Sequence, residues 1–206
     1  MEADEQGRSA RKRQSITQAA TRAFMEKGYC GTSMDDIAKL AAVSKQTVYR
    51  HFSDKEKLFA EIVLGTTDHL GRAIDPVSDI PSDADALEEN LTGLARCLLT
   101  TLTRSEALQL GRLVIASAGP FPALATAWYE QSFERVLMAL TTTFRRLTEE
   151  GVLRIDEPLL AAHHFSGLLL WVPVNETMFR SAHQHTPADL ERYATAGVRA
   201  FLAAYR

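Results

Sequence analysis

Cysteine is nearly absent: Cys30 and Cys97 are the only two in 206 residues, and they stand far apart. No C-x-x-C occurs, which removes zinc-finger and dithiol redox chemistry and leaves two free thiols, as expected in a reducing compartment. Long apolar runs are missing as well. The most apolar stretch, Phe165 to Val174, is far too short to cross a bilayer. The N-terminus, Met-Glu-Ala-Asp-Glu-Gln-Gly, is acidic and polar and has no signal-peptide character. No membrane association is expected, and the expected location is cytoplasmic. Strand-period alternation and internal repeats do not stand out. Of the catalytic signatures, G-x-G-x-x-G, the P-loop, H-E-x-x-H and G-x-S-x-G are all absent. Serine, histidine and acidic residues are scattered without a constellation, so no enzyme, no catalytic residue and no cofactor is expected.

What is present reads as helix. The chain is 46% hydrophobic and 24% charged, an ordinary globular balance. Its net charge of -3 hides an asymmetry, because residues 1–60 hold 11 Lys/Arg against 8 Asp/Glu and the remainder is acidic. A basic head on an acidic body suggests that the head alone meets a polyanion. Residues 1–9 are expected to be a disordered tail. Ile16, Ala20, Ala23 and Phe24 then form a helical stripe ending near Lys27, with Gly28 as C-cap. Arg8, Arg11, Lys12 and Arg13 crowd its start, as a solvated basic end or a phosphate-contacting arm.

Two short helices follow, about Met34 to Ala41 and Lys45 to His51, joined by a tight turn. Ile37, Ala38, Ala41, Val43, Val48 and Phe52 can close a small core between them. Ser33 with Asp36 resembles a capping box, Ser44 caps the second helix, and Ser53 with Glu56 begins a fourth. The outer face of the second helix carries Lys45, Gln46, Thr47, Tyr49, Arg50 and His51. A helix-turn-helix with such a donor-rich second helix is the shape that enters a DNA major groove.

The fourth helix has Leu58, Phe59, Ile62 and Leu70 on its apolar side and is expected to stop at Asp75-Pro76, before a linker over 77–83. Beyond it, Leu87, Leu91, Leu94, Leu98 and Leu102 mark one helix, and Ser105 can cap another running through Ala118. From Pro122 no Gly or Pro appears until Gly151, which predicts one long helix with Leu124, Trp128, Val136, Leu137, Leu140, Phe144 and Leu147 buried. A helix from Leu159 to about Arg180, interrupted by Pro173, and a last one started by Thr186-Pro-Ala-Asp189 complete the chain. The expected class is all-α, with about nine helices.

Residues 11–63 resemble the DNA-binding domain of the TetR family of transcriptional regulators. The matching run is Ile16-x3-Ala20-x3-Phe24-x3-Gly28-Tyr29, Thr32-Ser33-Met34-x2-Ile37-Ala38, Val43-Ser44-x2-Thr47-Val48-Tyr49-x-His51-Phe52 and Lys55-x2-Leu58-Phe59. Ala42 departs from the glycine the family often has in the turn. Alanine in a left-handed turn costs roughly 1–2 kcal/mol, so a slightly rearranged turn is expected. From about Leu110, through Phe121-Pro-x-Leu124 and Trp171-Val-Pro-Val-Asn-Glu-x-Met-Phe179, the chain is similar to the AefR-like subgroup. The resemblance implies a helix-turn-helix domain over 10–70 and a ligand-sensing and dimerisation domain over 71–206. It also implies a homodimer through helices at about 157–181 and 187–205. Most members repress transcription and leave a palindromic double-stranded operator when a small-molecule effector binds. An activator, or a regulator without a ligand, fits the same residues.

By match to the family pattern, Tyr49, His51 and Lys55 would contact phosphate, Thr32 or Ser33 would hold the backbone where the motif begins, and Ser44 would cap and touch phosphate together. Lys45, Gln46 and Thr47 are the candidates for base edges. Arg50 could reach DNA or pair with a neighbouring acid. For an effector, Trp128, Tyr129, Phe133, Met138 and Trp171 offer aromatic and polarizable surface. Arg96, Arg112, Asn175 and Glu176 are polar groups near apolar stripes, able to orient a ligand or form internal ion pairs. His163-His164 and His183-x-His185 invite a metal reading. Adjacent helical residues point about 100° apart, and the second pair has no carboxylate or thiol pattern beside it in sequence, so no metal is expected.

Overall fold

The computed structural model describes residues 2–65, 80–81, 83, 85–180 and 183–206. Among them all regular structure is helical: α1 (Glu2–Lys27), α2 (Met34–Leu40), α3 (Lys45–His51), α4 (Lys55–Gly65), α5 (Leu87–Leu102), α6 (Ser105–Ser117), α7 (Pro122–Tyr129), α8 (Arg135–Glu149), α9 (Pro158–Phe179) and α10 (Pro187–Tyr205). A π-helical turn, Glu130–Glu134, links α7 to α8, so the long helix foreseen from Pro122 is present with one widened turn. Leu70, the stop at Asp75-Pro76 and most of the 77–83 linker lie outside the described residues.

Two compact units emerge. The head comprises residues 1–66 with 110–128; the body comprises 67–109 with 129–206. Residues 110–128, which the sequence grouped with 71–206, thus lie with the head. The reason is apolar: Leu110, Leu113, Val114 and Trp128 are buried in one cluster with Ile16, Phe24, Ile37, Val48, Leu58 and Phe59. Phe121 packs edge-on to Tyr29, ring centroids 4.6 Å apart, and Tyr29 in turn meets Phe59 at 4.9 Å. The periodicity of 110–128 showed a buried face, but a period names no partner.

Local chemistry sets the head's boundaries. Ser33 accepts from the Asp36 N–H at 3.1 Å, and the Asp36 carboxylate accepts from the Ser33 N–H, the complete box. Ser44 Oγ accepts from the Thr47 N–H at 3.1 Å. The cap of α4 is Asp54 rather than Ser53: Asp54 Oδ1 accepts from the Lys57 N–H at 2.8 Å, while the Ser53 hydroxyl donates to Asp54. The carboxylate is the stronger acceptor and starts the helix one residue later. The turn after α2 keeps its left-handed residue, with Ala42 at φ 53°. The Val43 N–H reaches the Ala38 carbonyl and the Ala42 N–H the Lys39 carbonyl, a Schellman closure that outweighs the alanine strain. At its other end α1 reaches back to Glu2 instead of following a disordered tail over 1–9; no proline stops it, and Arg11 Nε donates to the Gly7 carbonyl at 3.3 Å.

The body packs α5, α8, α9 and α10 around Phe144, Phe165 and Phe201. Phe144 stacks on Phe201 at 4.9 Å, and Phe165 stands edge-on to both. Gly197 lets α10 approach α9, because a Cβ there would sit 2.6 Å from Leu169 Cδ2. Pro173 is buried and does not interrupt α9. It forfeits one backbone donor, while its carbonyl accepts from Thr177 Oγ1 at 3.0 Å and lies 3.2 Å from His185 Nε2. No helix among the described residues is long and apolar enough to cross a membrane.

Candidate nucleic-acid interface

The recognition element is α3, seven residues held by tertiary contacts because so short a helix is unstable alone. Val48 and, just past the end, Phe52 anchor it in the head core. That anchorage fixes the opposite face. Lys45, Gln46, Tyr49 and Arg50 are exposed and Thr47 is half-buried, so the helix presents a continuous row of donors. Tyr49 keeps 44% of its surface in solvent although it is aromatic. Arg50, ambiguous in the sequence, is exposed and forms no ion pair among the described residues. Lys45 is engaged: its Nζ lies 2.7 Å from Asp35 Oδ1 on α2, and the hydrogen bond it donates to that carboxylate, followed by the carboxylate's charge, lifts the ammonium above its ordinary pKa.

Three expected DNA contacts are turned inward. The Thr32 hydroxyl is buried and donates to the Ala23 and Gly28 carbonyls, at 3.1 and 2.9 Å. Lys55 spends two of its three protons on the Tyr29 and Thr32 carbonyls, at 3.0 and 2.9 Å, and its Nζ sits 4.2 Å from the centre of the Tyr29 ring. His51 has a buried Nε2 with no hydrogen-bond partner. Burial, then the charges of Arg50, Arg13 and Lys12, push its pKa down and favour the neutral imidazole. These three brace the motif rather than line its outer face. Their inward bonds span up to 26 residues, beyond the reach of any local pattern.

Sequence reasoning missed Arg13 as a clasp. Its guanidinium lies over the Phe52 ring at 4.4 Å, donates to the His51 carbonyl at 3.2 Å and pairs with Glu61 of α4. One residue of the basic cluster thus ties α1, the end of α3 and α4 together. Arg11, Lys12 and Arg8 remain on the exposed side of α1.

The candidate effector residues are divided between the units, Trp128 and Arg112 in the head and the others in the body. Trp128 is core of the head. Arg96 is on the surface, paired with Glu191 through two bonds, one of them Nη2 to Oε1 at 2.9 Å. Arg112 is half-buried. Tyr129, Phe133 and Met138 are exposed around the π-helical turn, the two rings 6.0 Å apart. Trp171 is 70% exposed, and Asn175 donates to its carbonyl at 2.7 Å. On α9, Leu160, Leu168, Trp171, Val172 and Phe179 are all exposed, an apolar stripe facing away from the body core.

Of the histidines, His163 and His164 lie on the exposed side of α9. The pair His183-x-His185 does have a carboxylate beside it: Glu176 Oε2 lies 3.9 Å from His183 Nε2 and 3.6 Å from His185 Nε2. No carboxylate stands beside them in sequence; Glu176, seven and nine residues earlier, meets them in space.

The profile of the bacterial regulatory proteins of the tetR family matches residues 16–62, and that of the AefR-like transcriptional repressor C-terminal domain matches residues 89–206. A crystal structure of a TetR-family transcriptional regulator from Mesorhizobium loti superposes with a TM-score of 0.85 at 49% identity, covering 96% of this chain and 98% of that one. The flavonoid-responsive regulator FrrA superposes with a TM-score of 0.77 at 31% identity, covering 96% and 98%. The HTH-type transcriptional regulator YhgD of Bacillus subtilis, itself uncharacterized, is 29% identical over 183 residues, 87% of this chain and 88% of its own.

Proposed function

We propose that this chain, which belongs to the tetR family of bacterial transcriptional regulators, is a cytoplasmic homodimeric repressor that grips a palindromic operator with α3 and leaves it when a small apolar effector binds. The helix-turn-helix regulator function follows from the family. The observation that carries the finer reading is the split surface of α3, with Val48 buried and Gln46, Tyr49 and Arg50 projecting into solvent. Gln46, Thr47 and Lys45 meet base edges, Gln46 having the paired donor and acceptor that match adenine. Tyr49, Arg50, Ser44 and Ser33 meet phosphates. Thr32, His51 and Lys55 hold the motif's shape, with one Lys55 proton left for a phosphate.

The head takes the DNA and the body takes the effector and the second protomer. The exposed stripe on α9, with the small-residue face Ala196, Ala200 and Ala203 of α10, supports pairing of two copies through these helices. Pairing sets two α3 helices one or more helical turns of DNA apart. Exposed Tyr129, Phe133 and Met138 with Trp171 and Asn175 supply surface for an apolar effector, and the flavonoid response of FrrA supports a small-molecule signal.

The test is selection of duplexes from a random library by the purified full chain at low salt, with the sequences read out. An inverted repeat is expected, and Gln46→Ala relaxes preference at one base pair per half-site. Absence of any enriched sequence overturns this reading.

A further inference from the structure

The turn between α9 and α10 gathers two imidazoles and a carboxylate for which DNA binding has no use. His185 is almost wholly buried, its side chain 4% exposed, while His183 and Glu176 are 41% and 37% exposed at the rim. The imidazole rings stand perpendicular, centroids 4.6 Å apart. One ligand atom from each of the three residues lies within 4.8 Å of the other two. His183 Nε2 is buried and has no hydrogen-bond partner among the described residues, although it faces an acid oxygen at 3.9 Å. A buried ring nitrogen left just beyond bonding distance of a carboxylate is an unsatisfied group that calls for a partner.

The donor set names the occupant. Ligands about 2.0–2.1 Å from a tetrahedral Zn²⁺ lie roughly 3.3 Å from one another; here Glu176 Oε2 stands 3.6 and 3.9 Å from the two ring nitrogens, and no pair of ligand atoms is farther apart than 4.8 Å. Two neutral imidazoles and one carboxylate suit Zn²⁺, Co²⁺ or Ni²⁺, whereas Mg²⁺ and Ca²⁺ want oxygen throughout. We propose that Glu176, His183 and His185 form a site for a borderline divalent metal ion, best matched by Zn²⁺, that clamps the end of α9 to the start of α10. Water fills the fourth position. Binding takes the His185 ring nitrogen from the Pro173 carbonyl, which keeps its bond from the Thr177 hydroxyl, so no buried acceptor is abandoned. Any proton on the ligating nitrogens leaves for solvent, and no redox step is involved. The site lies wholly in the body and does not depend on the reading of α3.

The full chain, free of any affinity tag, is titrated with Co²⁺ and the visible d–d absorption recorded, followed by displacement with Zn²⁺. One equivalent per chain is expected, with a rise in melting temperature. Glu176→Gln and His183→Ala, both at the rim, retain the far-ultraviolet circular dichroism of the parent and bind Co²⁺ at least about tenfold more weakly. His163→Ala, on the exposed side of α9, binds as the parent does. The proposal is overturned if the parent binds no stoichiometric Co²⁺, or if either rim variant binds it as tightly as the parent.

Discussion

Head and body invert polarity in opposite directions. In the head, polar side chains of the motif turn inward: Thr32 and Lys55 serve backbone carbonyls, and His51 buries a ring nitrogen. In the body, large apolar side chains turn outward: Trp171, Leu168 and Val172 on α9 stand in solvent. A polar residue can thus be structural where the backbone has carbonyls to satisfy. An apolar residue can be exposed where a second surface is needed to cover it. Side-chain chemistry states what a residue requires; topology decides who supplies it.

Charge placed on the outward apolar face has the largest expected effect. Leu168→Glu with Trp171→Glu gives a folded monomer by analytical ultracentrifugation. Operator binding falls at least about 100-fold, because the second half-site is no longer held at high effective concentration. Unchanged dimers would show that α9 is not the paired surface. The inward polar group comes next. Lys55→Met removes two charge-assisted bonds and leaves two carbonyls short, so urea denaturation should report a loss of about 2–4 kcal/mol. If stability held while only DNA affinity fell, Lys55 would belong to the outer face after all. Arg50→Ala, outward and unpaired, gives the reverse signature: unaltered stability, binding weaker on all sequences, and a salt slope smaller by about 1. The smallest effect is at the turn. Ala42→Gly relieves a left-handed alanine and stabilises by about 1 kcal/mol in the same denaturation assay, with DNA affinity unchanged.

These cases also show what the chain's order of residues could tell. The caps at Ser33, Ser44 and Thr186 were legible because each is a bond between residues three apart. Apolar stripes such as Ile16, Ala20 and Phe24, or Val136, Leu140 and Phe144, were legible because burial follows the helical period. The α4 start slipped by one residue because Ser53 and Asp54 offer the same kind of bond one position apart. Lys55 reaching Tyr29, Trp128 joining the head, and Glu176 meeting two histidines across a turn were not legible. Each depends on which surfaces meet after the helices have formed. The donor row of α3 was visible as a row; that Lys45 within it is already engaged was not.

That engagement changes what the row can discriminate. Lys45 rests on Asp35 at 2.7 Å. In the proposed complex a favourable base draws the lysine away, but over an unfavourable one it falls back to its own protein partner and no charge is stranded. The cost of a mismatch is therefore capped by the resting pair, whereas Gln46 has no such refuge. The operator position beneath Lys45 is then free to drift among targets while the one beneath Gln46 is not. A set of binding sites for this regulator would carry its information unevenly, with a tolerant base beside a demanding one.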